Sequence, residues 1–488
     1  MSLEKYFEKY RHNTIGNNRE YESPYGKQRL IYADWVASGR LYKPIEDIIS
    51  EKIGPFVANT HTETSETGAL MTKAYQLAHR KIKQHCNAGE NDVIITAGFG
   101  MTTVINKFQR ILGIKNFIKQ LDKNSIPKEE RPVAFITHME HHSNQTSWYE
   151  TAADVVVIEP GKDLCCDLEN LEKELIKYKD RKTKFGSFSA CSNVTGIQPP
   201  YFEMAKLMHK YGGYCFVDFA ASAPYVNINM HPEEEGAHLD AVFFSPHKFL
   251  GGPGTSGVLI FNKMLYQSYS PDQPGGGTVE WTNPWGEYKY IDDIETREDG
   301  GTPGFLQAIK TALCIELKNE IGIENILKRE KELLKIAFKE LREIQGLHIL
   351  ADETEHRLGI VSFYMDNIHY NLIVRLLSDR YGVQVRGGCA CAGTYGHYLL
   401  NVDYNHSKKI TELINNGDLS LKPGWVRLSL HPTMTDTDLL FICNAIREIG
   451  KNHEKWSADY IYNNHTNEYR FKSYKEFVDV NKWFDING

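Results

Sequence analysis

Two segments of this 488-residue chain carry residue types that could do covalent chemistry. The first, "FFSPHKFLGGPGTSGVLIF", runs from an apolar stretch into Ser245, His247 and Lys248 and then into glycines. A lysine at a strand's end beside a flexible turn suits Schiff-base formation with a carbonyl cofactor; the plain alternative is a lysine exposed in a surface turn. The second, "VQVRGGCACAG", sets Arg386, two glycines, Cys389 and Cys391 close together. Its thiols could ligate a metal, pair with each other or attack a substrate. A zinc site would need a second ligand pair at recognisable spacing, and a disulfide between cysteines so close in sequence would be strained. A nucleophilic thiolate and two inert, buried cysteines beside a turn both stay open.

The neighbours of the lysine narrow its reading. "YCFVDFAAS" ends an apolar strand on Asp218, and a buried carboxylate needs a cationic partner: an arginine, a lysine or a pyridinium nitrogen. "THMEHHSNQTSW" offers His141 and His142. Adjacent histidines seldom share one ion without further ligands, so a flat imidazole stacking on an aromatic cofactor is the better use, and no metal is expected. "ITAGFGMTT" is a glycine turn between strand and helix whose amides suit a phosphate, although such turns are common.

These groups need a frame to hold them. "DVIITAG", "PVAFITH", "DVVVIEP", "GSFSACSN", "YCFVDFA" and "LDAVFFSP" are short Val/Ile/Phe-rich runs bounded by polar or Gly/Pro residues, which predicts strands buried on both faces of a mostly parallel sheet. "DLENLEKELIKYKD" and "PPYFEMAKLMHKYG" read as intervening helices. After Gly304 come a long helical run to about Gln345, a strand "GIVSFYM", a helix "YNLIVRLLSDRYG", the thiol segment, and a capped helix "TDTDLLFICNAIREIGKN". The expected organisation is an α/β protein with an N-terminal segment over 1–30, a large domain over 31–305, a smaller α+β domain over 306–451, and an aromatic extension over 452–488 packed on the fold.

Composition sets the outer bounds. Hydrophobic residues at 41% and charged residues at 24% are those of a globular enzyme. The net charge of -7 with scattered basic residues argues against nucleic acid as the main partner. No apolar run is long enough to span a bilayer, and the start "MSLEKYFEKYRHN" is charged and amphipathic, so a cytoplasmic location is expected. The nine cysteines are odd in number and several, such as Cys215, Cys314 and Cys443, sit in apolar runs, as reduced thiols do.

With these motifs in order, the stretch from Ile31 to Gly450 resembles the class V, fold-type I aminotransferase family of pyridoxal phosphate enzymes, and within it the cysteine desulfurases and selenocysteine lyases. The resemblance implies a large domain with a seven-stranded-type sheet, pyridoxal phosphate as cofactor and a homodimer. It makes Lys248 in "SPHK" the Schiff-base lysine and proton shuttle, with Ser245 and His247 on the phosphate. His141 becomes the residue stacked on the ring, Asp218 the partner of the pyridinium nitrogen, and Ala97, Gly98, Phe99 and Gly100 the phosphate cradle. Loops around Thr278 and Thr302 resemble those that approach the phosphate, one from a second subunit. Asn193, Arg427 and Arg386 correspond to substrate-binding groups, a guanidinium suiting an α-carboxylate. Cys391 stands where the family's nucleophilic cysteine stands, with Cys389 as an extra.

The implied activity is removal of sulfur from L-cysteine, or selenium from selenocysteine, giving alanine and a persulfide on Cys391, with a protein as a possible sulfur acceptor. The alternative is another class V reaction, an amino transfer, epimerisation or lyase step on a different amino acid. Two departures bear on the choice. Ala221 stands where the family commonly has a glutamine on the cofactor's phenolic oxygen, leaving Ser222 as a substitute, and the segment between Cys391 and Arg427 is longer than a compact desulfurase needs.

Overall fold

The computed structural model describes residues 2–60, 62–115, 126–162, 164–473 and 478–486. By their contacts they form two compact units: Val36–Leu327, and Met1–Trp35 together with Lys328–Gly488. The helix over Phe305–Ile321, assigned from sequence to the smaller domain, packs instead on the helix Glu66–His85 of the first unit. Gly322, at φ 81°, then ends it and splits the long helical run, because only glycine enters this left-handed region without a Cβ penalty.

The first unit is built on a seven-stranded sheet. Its strands are β1 (Asp92–Ala97), β2 (Val133–Thr137), β3 (Asp154–Ile158), β4 (Lys184–Ser189), β5 (Tyr214–Asp218), β6 (Ala241–Phe244) and β7 (Gly257–Asn262). They lie in the order β1-β7-β6-β5-β4-β2-β3. Only β7 runs against its neighbours, so the other six share one direction. All six expected strands are present. Their period-2 geometry sends Val93, Ile95, Ala134, Ile136, Phe185, Phe216 and Phe243 into one buried layer. The helices α1 (Met101–Ile111) and α2 (His142–Tyr149) cover that layer with Phe108 and Trp148. Phe216 is its centre, with Phe108 edge-on at 5.0 Å and Phe185 stacked at 5.4 Å.

The second unit carries a four-stranded antiparallel sheet of β8 (Leu347–Ile349), β9 (Ile360–Met365), β10 (Arg386–Gly388) and β11 (Trp425–Ser429), in the order β8-β9-β11-β10. The helices α3 (Tyr370–Tyr381) and α4 (Asp436–Ser457) share its core through Leu376, Leu377, Ile442 and Ile446. Residues Ile31–Tyr32 pair in parallel with Val383–Gln384, which ties the start of the chain to this unit. The long segment before β11 forms α5 (Gly393–Leu399) and α6 (Tyr404–Asn415). The C-terminal extension contributes a hairpin, Tyr460–Asn463 with Glu468–Phe471, while Trp483 and Phe484 farther along are exposed. Among the described residues no helix is long and apolar enough to cross a membrane.

Candidate active site

Because six strands run in parallel, their carboxyl ends open on one edge, the place where open α/β sheets bind ligands. Ala97 ends β1, Asp218 ends β5, and His141, Asn193 and Ser245 follow β2, β4 and β6. Residues as far as 148 positions apart, Ala97 and Ser245, are gathered there by strand direction alone.

Each is held for a physical reason. Gly98, at φ 55°, turns the chain so tightly that a Cβ would lie 2.5 Å from the Thr103 side chain. At Gly100 a Cβ would lie 2.9 Å from the Ser245 hydroxyl. The Met101 amide at the start of α1 donates to that hydroxyl at 2.8 Å. A helix N-terminus, glycine amides and a serine therefore meet at one point, a set of donors suited to a phosphate. Burial, with Lys248 adding to it, pulls the His247 imidazole down to about 4, so it stays neutral near pH 7. Phe99 in the same turn is 87% exposed.

Asp218 is 5% exposed and accepts a hydrogen bond from the Ala220 amide at 2.8 Å. Burial pushes its carboxyl up to about 7 against the opposing pull of that amide and of Lys248. A cation beside it would restore the carboxylate, which is what a pyridinium nitrogen supplies. Ser222, two residues past the amide donor, is fully buried, and its hydroxyl has no hydrogen-bond partner among the described residues. The residues present fit the cofactor that the motifs imply.

His141 caps α2, its Nδ1 accepting from the Ser143 amide at 3.1 Å, so a neutral ring carries its proton on Nε2. Glu140 beside it is a group that sequence reasoning missed. This fully buried acid accepts from the hydroxyls of Thr137 and Ser189 at 2.6 Å each and from Asn144 at 2.7 Å, locking the ends of β2 and β4 together. Its only signal in sequence was an acid next to a buried run.

Thr278 and Thr302 lie in loops joined by the Gly301 amide donating to the Gly276 carbonyl at 2.8 Å. Thr278 is buried and gives its hydroxyl to Gly275 at 2.6 Å, whereas Thr302 is exposed and bonds Asn59 at 3.2 Å.

The second unit holds the remaining candidates. Arg386 and Arg427 stand directly opposite across β10 and β11. Like charges in that register repel, and Asp34 compensates both, 2.6 Å from Arg427 Nη2 and 3.3 Å from Arg386 Nε. Asp34 was not identified from sequence, since it lies 352 and 393 residues from its two partners. Arg427 is 3% exposed; burial lowers its pKa, while Asp34 and, more weakly, the Cys391 thiol raise it. Beyond β10 the loop turns through Ala390 at φ 50° and Cys391 at φ 58°, two consecutive residues in the left-handed region, and presents Cys391 exposed and Cys389 partly buried. All nine cysteines are thiols. The segment after the loop is anchored: a Cβ on Gly396 of α5 would sit 3.1 Å from the Trp425 ring of β11.

Among the described residues, His209, His238 and Asp240 form the one grouping of metal-ligand type, at the amino ends of β5 and β6, the edge opposite Asp218.

A family model described as aminotransferase class-V matches residues 31–440. A protein of Halalkalibacterium halodurans named a probable cysteine desulfurase is 29% identical over 371 residues, covering 74% of this chain and 84% of its own length. One of the same name from Staphylococcus aureus is 27% identical over 401 residues, covering 80% and 91%. The apo structure of a cysteine desulfurase from Thermococcus onnurineus NA1 superposes with a TM-score of 0.72 at 23% identity, covering 91% of this chain and 98% of that one. The fold is the expected fold-type I architecture.

Proposed function

The chain belongs to the aminotransferase class-V family, and from that premise we propose that it is a cysteine desulfurase that uses pyridoxal phosphate to release alanine from L-cysteine, or from selenocysteine. The single observation that carries the choice of reaction is the exposed Cys391, turned outward by a left-handed loop that follows β10, whose Arg386 faces Arg427 of β11. An amino transfer has no sulfur for such a thiol to accept, and an epimerisation would use it only to move a proton.

When bound, the cofactor supplies an electron sink for the substrate's α-carbon. In this reading Lys248 anchors it and moves the α-proton at Nζ, Asp218 keeps its ring nitrogen protonated, and His141 lies against the ring. Ser245, His247 and the amides of Ala97 to Gly100 hold the phosphate, with the Thr278 and Thr302 loops nearby in a homodimer. Asn193 orients the substrate, and Arg427, with Arg386 beside it, takes the α-carboxylate. Cys391 as thiolate attacks the substrate sulfur: an S–S bond forms, and the substrate's Cβ–S bond breaks with its electron pair going to the alanyl carbon. That carbon takes up a proton to give alanine, and the sulfur stays on Cys391 as a persulfide. Ser222, buried and short of a partner, supports the view that it serves the phenolic oxygen in place of a glutamine at Ala221. Nine cysteines, none of them in a disulfide, suit a reducing cytoplasm.

The test is product analysis of the purified holoenzyme with L-cysteine and a thiol. Alanine formed in step with transferred sulfur is expected; a keto acid or D-cysteine instead would assign a different class V reaction.

A further inference from the structure

A cleft of ≈ 780 Å³ opens beside the cysteine loop, walled by α3, by the strand and loop from Gln384 to Cys391, and by the hairpin turn Thr466–Arg470. The turn lies past the residues matched by the family model, so this wall belongs to the chain's own extension. It is firmly attached. Asn467 donates to the Tyr370 hydroxyl at 2.6 Å, that hydroxyl donates to the Lys422 carbonyl at 3.1 Å, and Asn371 of α3 donates to the Asn467 carbonyl at 2.5 Å. The Leu419 amide reaches the Asn464 carbonyl at 2.8 Å.

The charges on the walls do not cancel. The lining holds four cations, Arg375, Arg386, Lys422 and Arg470, and one carboxylate, Glu468; behind it Arg375 pairs with Asp379 at 2.9 Å and Arg386 with Asp34 at 3.3 Å. A surplus of positive charge therefore surrounds a space of small-molecule size, about 300–1,000 Å³ being usual for such ligands. Both Cys389 and Cys391 line it.

Resting on the desulfurase reading, we propose that this cleft binds a small thiol bearing carboxylates, which takes the sulfur from Cys391. The acceptor thiolate attacks the outer sulfur of the Cys391 persulfide. A new S–S bond forms to the acceptor, the Cys391 S–S bond breaks, and its electron pair stays on Cys391, which takes up the proton the acceptor has lost. No outside oxidant or reductant enters.

The experiment uses holoenzyme, saturating L-cysteine, and the tripeptide glutathione as probe, with neutral 2-mercaptoethanol as control; alanine and the thiol persulfide are both measured. Wild type is expected to saturate with glutathione. The Lys422→Glu, Arg470→Glu double variant is expected to raise the KM for glutathione by about tenfold and leave that for 2-mercaptoethanol and L-cysteine unchanged. On the unmodified protein, raising salt from about 0.05 to 0.5 M should weaken glutathione alone. Equal effects on both thiols, or no saturation by glutathione while 2-mercaptoethanol supports turnover, would overturn the cleft assignment. Failure to form alanine with either thiol would instead sink the desulfurase reading on which it rests.

Discussion

Arg427 and Asp34 form a 2.6 Å ion pair inside the second unit, although 393 positions separate them in the chain. The carboxylate also offsets Arg386, which faces Arg427 across the strands. Replacing Asp34 by Asn leaves two opposed guanidiniums, one of them buried. The expected result is a loss of about 3 kcal/mol in unfolding free energy, with the KM for L-cysteine raised about tenfold because the guanidinium is no longer aimed. Denaturant unfolding and steady-state kinetics on Asp34→Asn check both parts.

Asp218 makes the cofactor-free protein sensitive to pH. Its carboxyl, ordinarily at 3.8, is pushed by burial up to about 7 in the fold. Between roughly pH 4 and 7 the folded state thus keeps a proton that the unfolded chain has lost, and stability falls as pH rises through that window. Asp218→Asn stays neutral and has no such slope. Unfolding of the stripped proteins should favour the variant increasingly from pH 4 to 7; parallel curves would refute the assignment. Glu330, pushed up by burial to about 8, contributes alike to both proteins and cancels.

Gly396 tests what the long segment after the cysteine loop does. A side chain there must displace the Trp425 ring, which a Cβ would already approach to 3.1 Å. Gly396→Leu is expected to cost about 1–3 kcal/mol by overpacking and to slow sulfur transfer by shifting the Cys391 loop. The cofactor's absorbance should be unchanged, since the lysine face belongs to the other unit. Rapid-mixing assays of persulfide formation separate this from a loss of cofactor.

The parts of the molecule that announce themselves locally were legible in the sequence. Phe135, Phe216 and Phe243 lie in apolar runs whose burial on both faces follows from composition, and Thr435 caps α4 as its type and position predict. Once the strands are parallel, the gathering of Ala97, His141, Asn193, Asp218 and Ser245 at one edge follows. What stayed hidden depends on contacts between distant residues. Asp34 has no local feature that marks it as a counter-ion for Arg386 and Arg427. Asn467 looks like a turn residue and nothing in its neighbourhood predicts its bond to Tyr370. The first 35 residues join the C-terminal unit through contacts of this distant kind: the pairs Ile31 with Val383 and Tyr32 with Gln384, the buried Ile31 and Ala33, and bonds such as Tyr21 to Ser378, Ser23 to Asp379 and Arg427 to Asp34.

The most direct test of the desulfurase account is to mix holoenzyme with L-cysteine in the absence of any acceptor thiol and map the transferred sulfur by peptide mass spectrometry, for wild type and Cys391→Ala. The account predicts one equivalent of alanine per site and one added sulfur atom on the peptide holding Cys391, with the variant keeping its cofactor absorbance but giving neither product from L-cysteine. Alanine release by Cys391→Ala at the wild-type rate, or added sulfur residing only on another cysteine, would contradict it.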